Sequence, residues 1–247
     1  MMLEARDLRL AGRLDSVSAA FRPGEVTAIC GPNGAGKSSL LAALAGLLAP
    51  DAGAVLLDGA PLAALPPRER ARAIGYLPQS AEVAWDVSVE TLVTLGRIPW
   101  GGGAPGEGQA AIDAALAAMD LDELRHRPVS RLSGGERARA LMARVLATGP
   151  RWLLADAPLA SLDLAHAAAL IARFRDQARA GAGVVLVLHD LAAAMNHADR
   201  VLVLDRGQLA ADGPPQQALA QEVIARVWGV GARWLGEPGG MALALTS

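Results

Sequence analysis

The sequence predicts an α/β domain whose sheet is largely parallel. Two apolar runs, residues 184–188 and 201–204, carry apolar side chains on both faces, as strands buried in a parallel sheet do. A third predicted strand, residues 25–30, runs directly into a glycine-rich loop, and a helix predicted over 38–48 follows it. Strands that alternate with helices in this way favour a parallel α/β sheet.

The remaining predicted elements continue this alternation, with one mostly helical interruption. Further short strands are predicted over 73–77 and 152–155. Between them the composition becomes helical and is broken by glycine and proline. The elements predicted there and beyond are helices over 110–119, 136–147 and 215–228 and a loop over 101–108.

These elements predict how the domain is organised. We expect one domain over residues 1–247, because no long linker and no internal repeat divides the chain. Residues 1–79 and 150–247 are predicted to form the α/β core. Residues 80–149 are predicted to form a helical subdomain inserted between two of its strands.

Composition excludes several classes of protein. The chain has 247 residues, 52% of them hydrophobic, and its longest apolar run, residues 40–49, is much shorter than the roughly 20 residues that a membrane helix needs. Charges near the N-terminus argue against an export signal, and the lone Cys30 fits a reducing compartment. A net charge of −2 gives no attraction to nucleic acid. We therefore expect a cytoplasmic protein with no nucleic-acid partner.

Lysine usage singles out one position. Of the 23 basic residues one is a lysine, Lys37, and all others are arginines. An ammonium is a compact point charge, whereas a guanidinium is a wide planar fork. Lys37 therefore indicates a tight pocket around a small anionic group. The alternative is that this lysine was retained by chance, and the surrounding sequence decides between the two.

The residues around Lys37 form a phosphate-binding loop. Glycines let successive N–H groups turn inward around an anion, and the helix that follows adds the positive end of its dipole. Lys37 is then expected to reach the β- and γ-phosphates and the Ser38 hydroxyl to bind Mg²⁺. The alternative, a plain glycine-rich turn, explains neither the lysine nor the hydroxyl. The predicted ATP-binding residues are Gly31, Pro32, Asn33, Gly34, Ala35, Gly36, Lys37, Ser38 and Ser39.

A second predicted anion site narrows the family. A serine and two glycines precede a helical pattern, so the serine and the backbone amides are placed at a helix N-terminus. Taken alone, this pattern is also that of a common capping turn. With the phosphate loop, the chain resembles the nucleotide-binding subunits of ATP-binding-cassette (ABC) transporters, whose signature is LSGGQ or LSGGE. The matching residues are Leu132, Ser133, Gly134, Gly135 and Glu136.

The other motifs of that family follow in the expected order. Gln79 resembles the Q-loop residue, Asp156 the carboxylate that ends the Walker B strand, and His189 the switch histidine. Ser161, Leu162 and Asp163 resemble the D-loop. The resemblance implies that Ser38, Gln79 and Asp156 hold Mg²⁺. It also implies a RecA-like P-loop NTPase core with an N-terminal antiparallel β region.

The resemblance also implies partners. Two copies of such subunits pack head to tail, and each ATP lies between the phosphate loop of one copy and the signature residues of the other. The implied assembly is a homodimer at the cytoplasmic face of the bacterial inner membrane. This homodimer binds two membrane-spanning permease subunits. A substrate-binding protein acts on those permease subunits and so is only an indirect partner of this chain.

One residue departs from the family pattern. The residue after Asp156 is normally the glutamate that acts as general base, but here it is Ala157. Loss of a general base costs about 10²–10⁴-fold in rate. We therefore expect ATP binding with severely slowed hydrolysis. Ala157 is either an engineered substitution that traps the ATP-bound state or a natural degeneration.

Residues 87–100 resemble subunits that energise uptake of iron–siderophores, haem and cobalamin. Trp85 and the exposed face of residues 97–100 are the candidates to line the groove for a coupling helix of the permease; the alternative is a helix packed within its own subdomain. No aromatic residue precedes Phe21 to stack on adenine, and Arg13 is the available substitute. Two other functions remain open, namely a soluble ABC ATPase not tied to transport and a non-hydrolysing regulatory subunit.

Overall fold

The computed structural model describes residues 2–79, 86–101, 108–160 and 162–246. Its strands are β1 (Leu3–Leu10), β2 (Leu14–Phe21), β3 (Val26–Cys30), β4 (Ala52–Leu57), β5 (Ala60–Pro61), β6 (Ile74–Leu77), β7 (Trp152–Asp156), β8 (Gly183–Val187), β9 (Arg200–Asp205), β10 (Gln208–Gly213), β11 (Gly231–Leu235) and β12 (Ala242–Thr246).

The helices of the described residues alternate with these strands. They are α1 (Lys37–Leu44), α2 (Pro67–Ala73), α3 (Val89–Thr94), α4 (Gln109–Ala118), α5 (Gly134–Leu146), α6 (Leu164–Arg179), α7 (Leu191–His197), α8 (Pro215–Ala218) and α9 (Gln221–Trp228), with 3₁₀ turns at Leu62–Ala64, Leu95–Trp100, Asp122–Leu124 and Val129–Arg131.

A six-stranded sheet in the order β10-β9-β3-β8-β7-β6 forms the centre of the fold. All its neighbouring strands run parallel except β10, which pairs antiparallel with β9. The prediction of an α/β fold with a largely parallel core is confirmed. Strands β3, β7 and β8 are buried along their whole length, as expected for strands covered on both faces.

A second, antiparallel sheet contains the N-terminal strands in the order β2-β1-β4-β5. Alternate residues of β3 contribute to two different apolar clusters. Ile29 joins the cluster that contains α1 and the antiparallel sheet, whereas Ala28 and Cys30 join the cluster that contains α3 to α6. The sheet therefore separates two cores, and the loop after β3 leaves the sheet between them.

Three predicted helices differ from the structure. The helix predicted over 38–48 ends at Leu44, because Gly46 takes a left-handed conformation at φ 68°. The single helix predicted over 215–228 is two helices, α8 and α9. Residues 87–100 form a short helix, α3, followed by a 3₁₀ turn, and Pro99 cannot donate the hydrogen bond of a continued helix.

The part of the chain between β6 and β7 contains only helices and 3₁₀ turns among its described residues. The boundaries of a separate helical subdomain at residues 80 and 149 stay a prediction. Over the described ranges, no helix is both long and apolar enough to cross a membrane.

Candidate functional site

The loop after β3 adopts a conformation that only glycine permits at two positions. Gly31 has φ 147°, and a Cβ there would lie 2.1 Å from the Leu204 carbonyl oxygen. Gly36 has φ 97°, and its Cβ would lie 2.4 Å from the carbonyl oxygen of Arg13. Any side chain would strain the backbone and collide with strand β9 at Gly31 or with the β1–β2 turn at Gly36. The two glycines therefore hold the loop against the sheet edge.

Lys37 closes this loop from inside. Its Nζ donates hydrogen bonds of 2.8 Å to the carbonyl oxygens of Gly31 and Pro32, and the residue is only 5% exposed. Burial lowers the pKa of the Lys37 ammonium, while Cys30 and Asp156 oppose that shift. The carbonyl contacts keep the ammonium at the mouth of the loop, where an anion would meet it.

A cleft of about 430 Å³ lies over the loop. The structure brings Gln79 and His189 to this cleft, from the ends of β6 and β8, so both predicted residues lie beside the phosphate loop. The cleft is lined by Gly12, Arg13, Asn33, Gly34, Ala35, Gly36, Lys37, Ser38, Ser39, Gln79 and His189. Gly12 was not predicted, although its neighbour Arg13, in the same β1–β2 turn, was the candidate to stack on adenine.

Asp156 ends β7 and is 5% exposed. Its Oδ1 is buried and accepts no hydrogen bond from any described residue. A buried carboxylate oxygen without a donor is costly, and a bound cation or its water satisfies it. The residues therefore fit the expected Mg²⁺, although no group of three or more His, Cys, Asp or Glu side chains within the described ranges could hold a metal. Ser38 is exposed beside Lys37 and supplies a hydroxyl instead.

Ala157 follows Asp156 in a strained conformation. Its φ is 45°, a left-handed region that residues other than glycine rarely adopt, and its N–H donates to the Val187 carbonyl at 3.2 Å. The methyl group is buried and carries neither a proton acceptor nor a charge. The backbone at this position is thus fixed between β7 and β8, while the side chain lacks the chemistry of a general base.

His189 and Asp190 connect β8 to α7. The Asp190 carboxylate caps α7 by accepting hydrogen bonds from the N–H groups of Ala192 and Ala193. His189 precedes this cap and is exposed to the cleft. The position of His189 is therefore set by the end of a buried strand on one side and a capped helix on the other.

The predicted signature segment, residues 132–136, begins α5. The Ser133 hydroxyl accepts a hydrogen bond from the Glu136 N–H, and the Glu136 carboxylate accepts one from the Ser133 N–H at 2.7 Å. This capping box lowers the pKa of Glu136, mainly through the Ser133 backbone bond. Ser133 and Gly134 are exposed, and neither lines the cleft of its own chain.

The predicted D-loop lies between β7 and α6; its first residue, Ser161, lies outside the described residues. Leu162 packs against the larger apolar cluster, and Asp163 caps α6. The Asp163 carboxylate also contacts the Nδ1 of His166 at 2.8 Å, and hydrogen bonds from His166 lower the pKa of that carboxyl. His166 was not predicted, although its spacing from Asp163 is that of an N-cap pair.

A shallow groove of about 360 Å³ lies beside β6, α5 and the Leu95–Trp100 turn. Leu95 and Ile98 line this groove and are exposed by 39% and 65%, and Trp100, in the same turn, is 41% exposed. Arg97 is not part of this exposed face: its guanidinium turns inward and donates to the Ala147 carbonyl at 2.9 Å. Trp85, the other predicted lining residue, lies outside the described residues.

A family model described as ABC transporter matches residues 14–160. The chain belongs to the ABC transporter family. This match begins in β2, contains the phosphate loop, Gln79, the predicted signature segment and Asp156, and ends just before the predicted D-loop.

Individual ABC proteins are similar over most of the chain. The hemin import ATP-binding protein HmuV of Nocardia farcinica is 48% identical over 216 residues, which are 87% of this chain and 75% of the relative. The protein of the same name from Myxococcus xanthus is 43% identical over 260 residues, covering 98% and 97%. Among solved structures, cbiO1 from Clostridium perfringens, part of the ABC transporter complex cbiONQ, has a TM-score of 0.80 at 26% identity, covering 91% and 92%.

Proposed function

We propose that this chain is the ATP-binding subunit of an importer for a metal chelate of the haem, iron–siderophore or cobalamin class, with haem as the first candidate. The observation that carries the proposal is the 48% identity with a hemin import ATP-binding protein over 87% of the chain. The resemblance of residues 87–100 to such import subunits supports it.

The cleft supplies the groups that MgATP needs. Backbone amides of the phosphate loop would surround the β- and γ-phosphates, with Lys37 beside them. Ser38, Gln79 and the free oxygen of Asp156 would hold Mg²⁺, which neutralises charge on the phosphates when bound. Arg13 lines the cleft and is exposed, so its guanidinium can stack on the adenine.

The complete nucleotide site includes a second copy of the chain. Ser133 and Gly134 open a capped helix outside their own cleft; the Ser133 N–H is used by the capping box, so the Ser133 hydroxyl and the Gly134 N–H are the groups proposed to meet an anion. In the proposed homodimer they complete the site of the other copy. The dimer closes while the γ-phosphate is present, because both copies then contact the same anionic group.

Hydrolysis in this dimer is slow, because Ala157 stands where the family has its general base. His189 faces the cleft and can orient a water molecule, so a residual rate remains. An engineered Ala157 and a natural Ala157 predict the same chemistry. If the substitution is natural, the chain is instead a regulatory subunit that ATP closes without turnover, and this is the second candidate function.

The groove beside Leu95 and Ile98 is the proposed docking site for a coupling helix of a permease. Two permease subunits would then bind one ATPase dimer, at the cytoplasmic face of the membrane. A substrate-binding protein would act on the opposite side, without contact to this chain.

The test is steady-state hydrolysis of MgATP by the chain assembled with its membrane subunits in proteoliposomes. Ala157→Glu is expected to raise the rate by about 10²–10⁴-fold, whereas the matched control Ala157→Gln stays at the level of the parent chain. The active variant should drive uptake of haem, with cobalamin and an iron–siderophore as competitors. If Ala157→Glu stays inactive while MgATP still closes the dimer, the regulatory function replaces the transport function.

A further inference from the structure

Two arginines stack on Trp100 in the Leu95–Trp100 turn, and a third, Arg144, lines the groove beside that turn. The guanidinium of Arg72 lies 4.5 Å from the centroid of the Trp100 ring, and that of Arg97 lies 5.0 Å from it. Arg144, on α5, lines the groove itself, next to Tyr76 and Ile98. Of the three arginines, Arg144 is the one that lines the groove, where the hydrophobic residues Leu95 and Ile98 are exposed.

Two of these arginines are occupied by contacts within the chain. Arg72 donates through Nε to the Pro99 carbonyl, and Arg97 donates through Nη1 to the Ala147 carbonyl. Both also stack on Trp100, whose indole N–H donates to the Thr148 carbonyl at 3.0 Å. These bonds fix the rim of the groove, because the ring is held from its edge and by two cations.

Arg144 differs from the other two. Arg72 and Arg97 donate hydrogen bonds, whereas no hydrogen bond and no ion pair of the described residues includes the Arg144 guanidinium. Burial lowers the pKa of Arg144, with no acidic group opposing the shift. A half-buried guanidinium with no anion beside it is unfavourable, and covering the groove with a purely apolar surface would bury it further. The groove therefore favours an occupant that brings a negative charge.

We infer that the segment of the membrane subunit that docks in this groove is an apolar helix carrying an acidic side chain that pairs with Arg144. This inference rests on the proposed function, which makes the groove a permease-docking site. Leu95 and Ile98 would contact the apolar side of that helix, while the carboxylate would reach the guanidinium.

The experiment measures binding of this chain to its membrane subunits in detergent at low and high salt. Arg144→Gln and Arg144→Met are expected to weaken binding about tenfold or more and to reduce its salt dependence, while Arg144→Lys retains part of it. The matched control is Arg173→Gln on α6. It breaks an exposed ion pair with Asp120 and should leave binding unchanged. Thermal denaturation of each variant checks that it folds.

A charge exchange identifies the partner residue. Arg144→Glu should lose binding and regain it when one acidic residue in the cytoplasmic loops of the membrane subunit is changed to lysine. Undiminished binding of Arg144→Met, or no rescue at any acidic position, overturns the inference. If Arg144→Met binds as well as the parent chain, loss of binding by Ile98→Asp would still support the groove as the docking site. If the parent chain itself does not bind the membrane subunits, the proposed function fails instead.

Discussion

The imidazole ring of His166 lies directly against the backbone of Gly135. A Cβ on Gly135 would stand 2.6 Å from Cδ2 of the ring and 2.9 Å from Nε2. Because Asp163 holds the same ring at Nδ1, the D-loop and the signature segment contact each other through one side chain. The position of α5 is thus linked to the loop that follows β7.

This contact predicts that Gly135→Ala weakens MgATP-dependent dimerisation. Alanine is the better helix former, so the expected loss comes from the collision with His166 and not from helix propensity. Adding His166→Ala should restore dimerisation, since it removes the ring. Size-exclusion chromatography with MgATP measures both. Gly108→Ala is the control, because its Cβ would lie 3.7 Å from the nearest atoms, in the side chain of Arg97. A double variant as weak as Gly135→Ala alone would contradict the explanation.

Position 37 is expected to tolerate neither loss of the ammonium nor its replacement by a wider cationic group. Lys37→Ala deletes the ammonium, and Lys37→Arg places a planar fork where two carbonyl oxygens already enclose a compact group at 2.8 Å. Both variants should lose ATP-dependent dimerisation, measured by calorimetric titration with MgATP and by chromatography. Arg22→Ala, at an exposed residue, serves as the control. Unchanged ATP affinity in Lys37→Ala would show that the lysine does not contact the phosphates.

The sequence allowed the parallel sheet and helix α5 to be predicted, because each depends on local pattern, whereas the roles of the phosphate loop and of the signature segment stay predictions. The ends of two helices were wrong for different reasons. Gly46 is a helix-stop signal that the prediction of a helix over 38–48 passed over. The break between α8 and α9 has no such signal: the Leu219 carbonyl accepts the Trp234 indole N–H at 2.8 Å, a contact between distant parts of the chain.

The contacts of the groove also depend on distant residues. Residues 97–100 were predicted as an exposed face, but Arg97 and Trp100 bond to Ala147 and Thr148, about fifty positions away. Nothing in the local sequence indicates these partners. Ile98, which lies between Arg97 and Trp100 in the sequence, is exposed, so this part of the predicted exposed face is correct.

Gly96 is expected to be intolerant of any side chain. A Cβ there would lie 2.0 Å from the Arg144 carbonyl oxygen, so alanine forces the Leu95–Trp100 turn away from α5. Overpacking of this kind costs about 1–3 kcal/mol of the free energy of unfolding. Urea denaturation of Gly96→Ala measures the loss, with Gly108→Ala as the control. Equal stabilities of the two variants would mean that the turn shifts without cost.

Glu136 is expected to make the start of α5 sensitive to acid. Its folded pKa lies below the ordinary value, so its contribution to stability is present above the unfolded pKa and is lost as the pH falls through the folded pKa. Glu136→Gln keeps a capping-box residue but cannot titrate. Amide exchange at α5, compared between parent and variant from pH 6 to pH 3, should converge at low pH. A constant difference across this range would rule out titration of Glu136 as the cause.

Asn196 connects α7 to the hairpin of β11 and β12. Its amide donates to the Met241 carbonyl and its carbonyl accepts the Met241 N–H, both at 2.8 Å. Asn196→Asp keeps the oxygen that accepts from the Met241 N–H, but it replaces the amide donor by a carboxylate oxygen that faces the Met241 carbonyl. Losing one such hydrogen bond costs about 1 kcal/mol. Since about 1.4 kcal/mol corresponds to a tenfold change in an equilibrium constant, the population in which the hairpin of β11 and β12 is detached from α7 should rise by somewhat less than tenfold. Limited proteolysis within residues 231–246 should accelerate accordingly, whereas Gln208→Glu, at an exposed contact with Asp15, should not change it. Equal cleavage rates for parent and Asn196→Asp would mean that β11 and β12 are held by their apolar contacts alone.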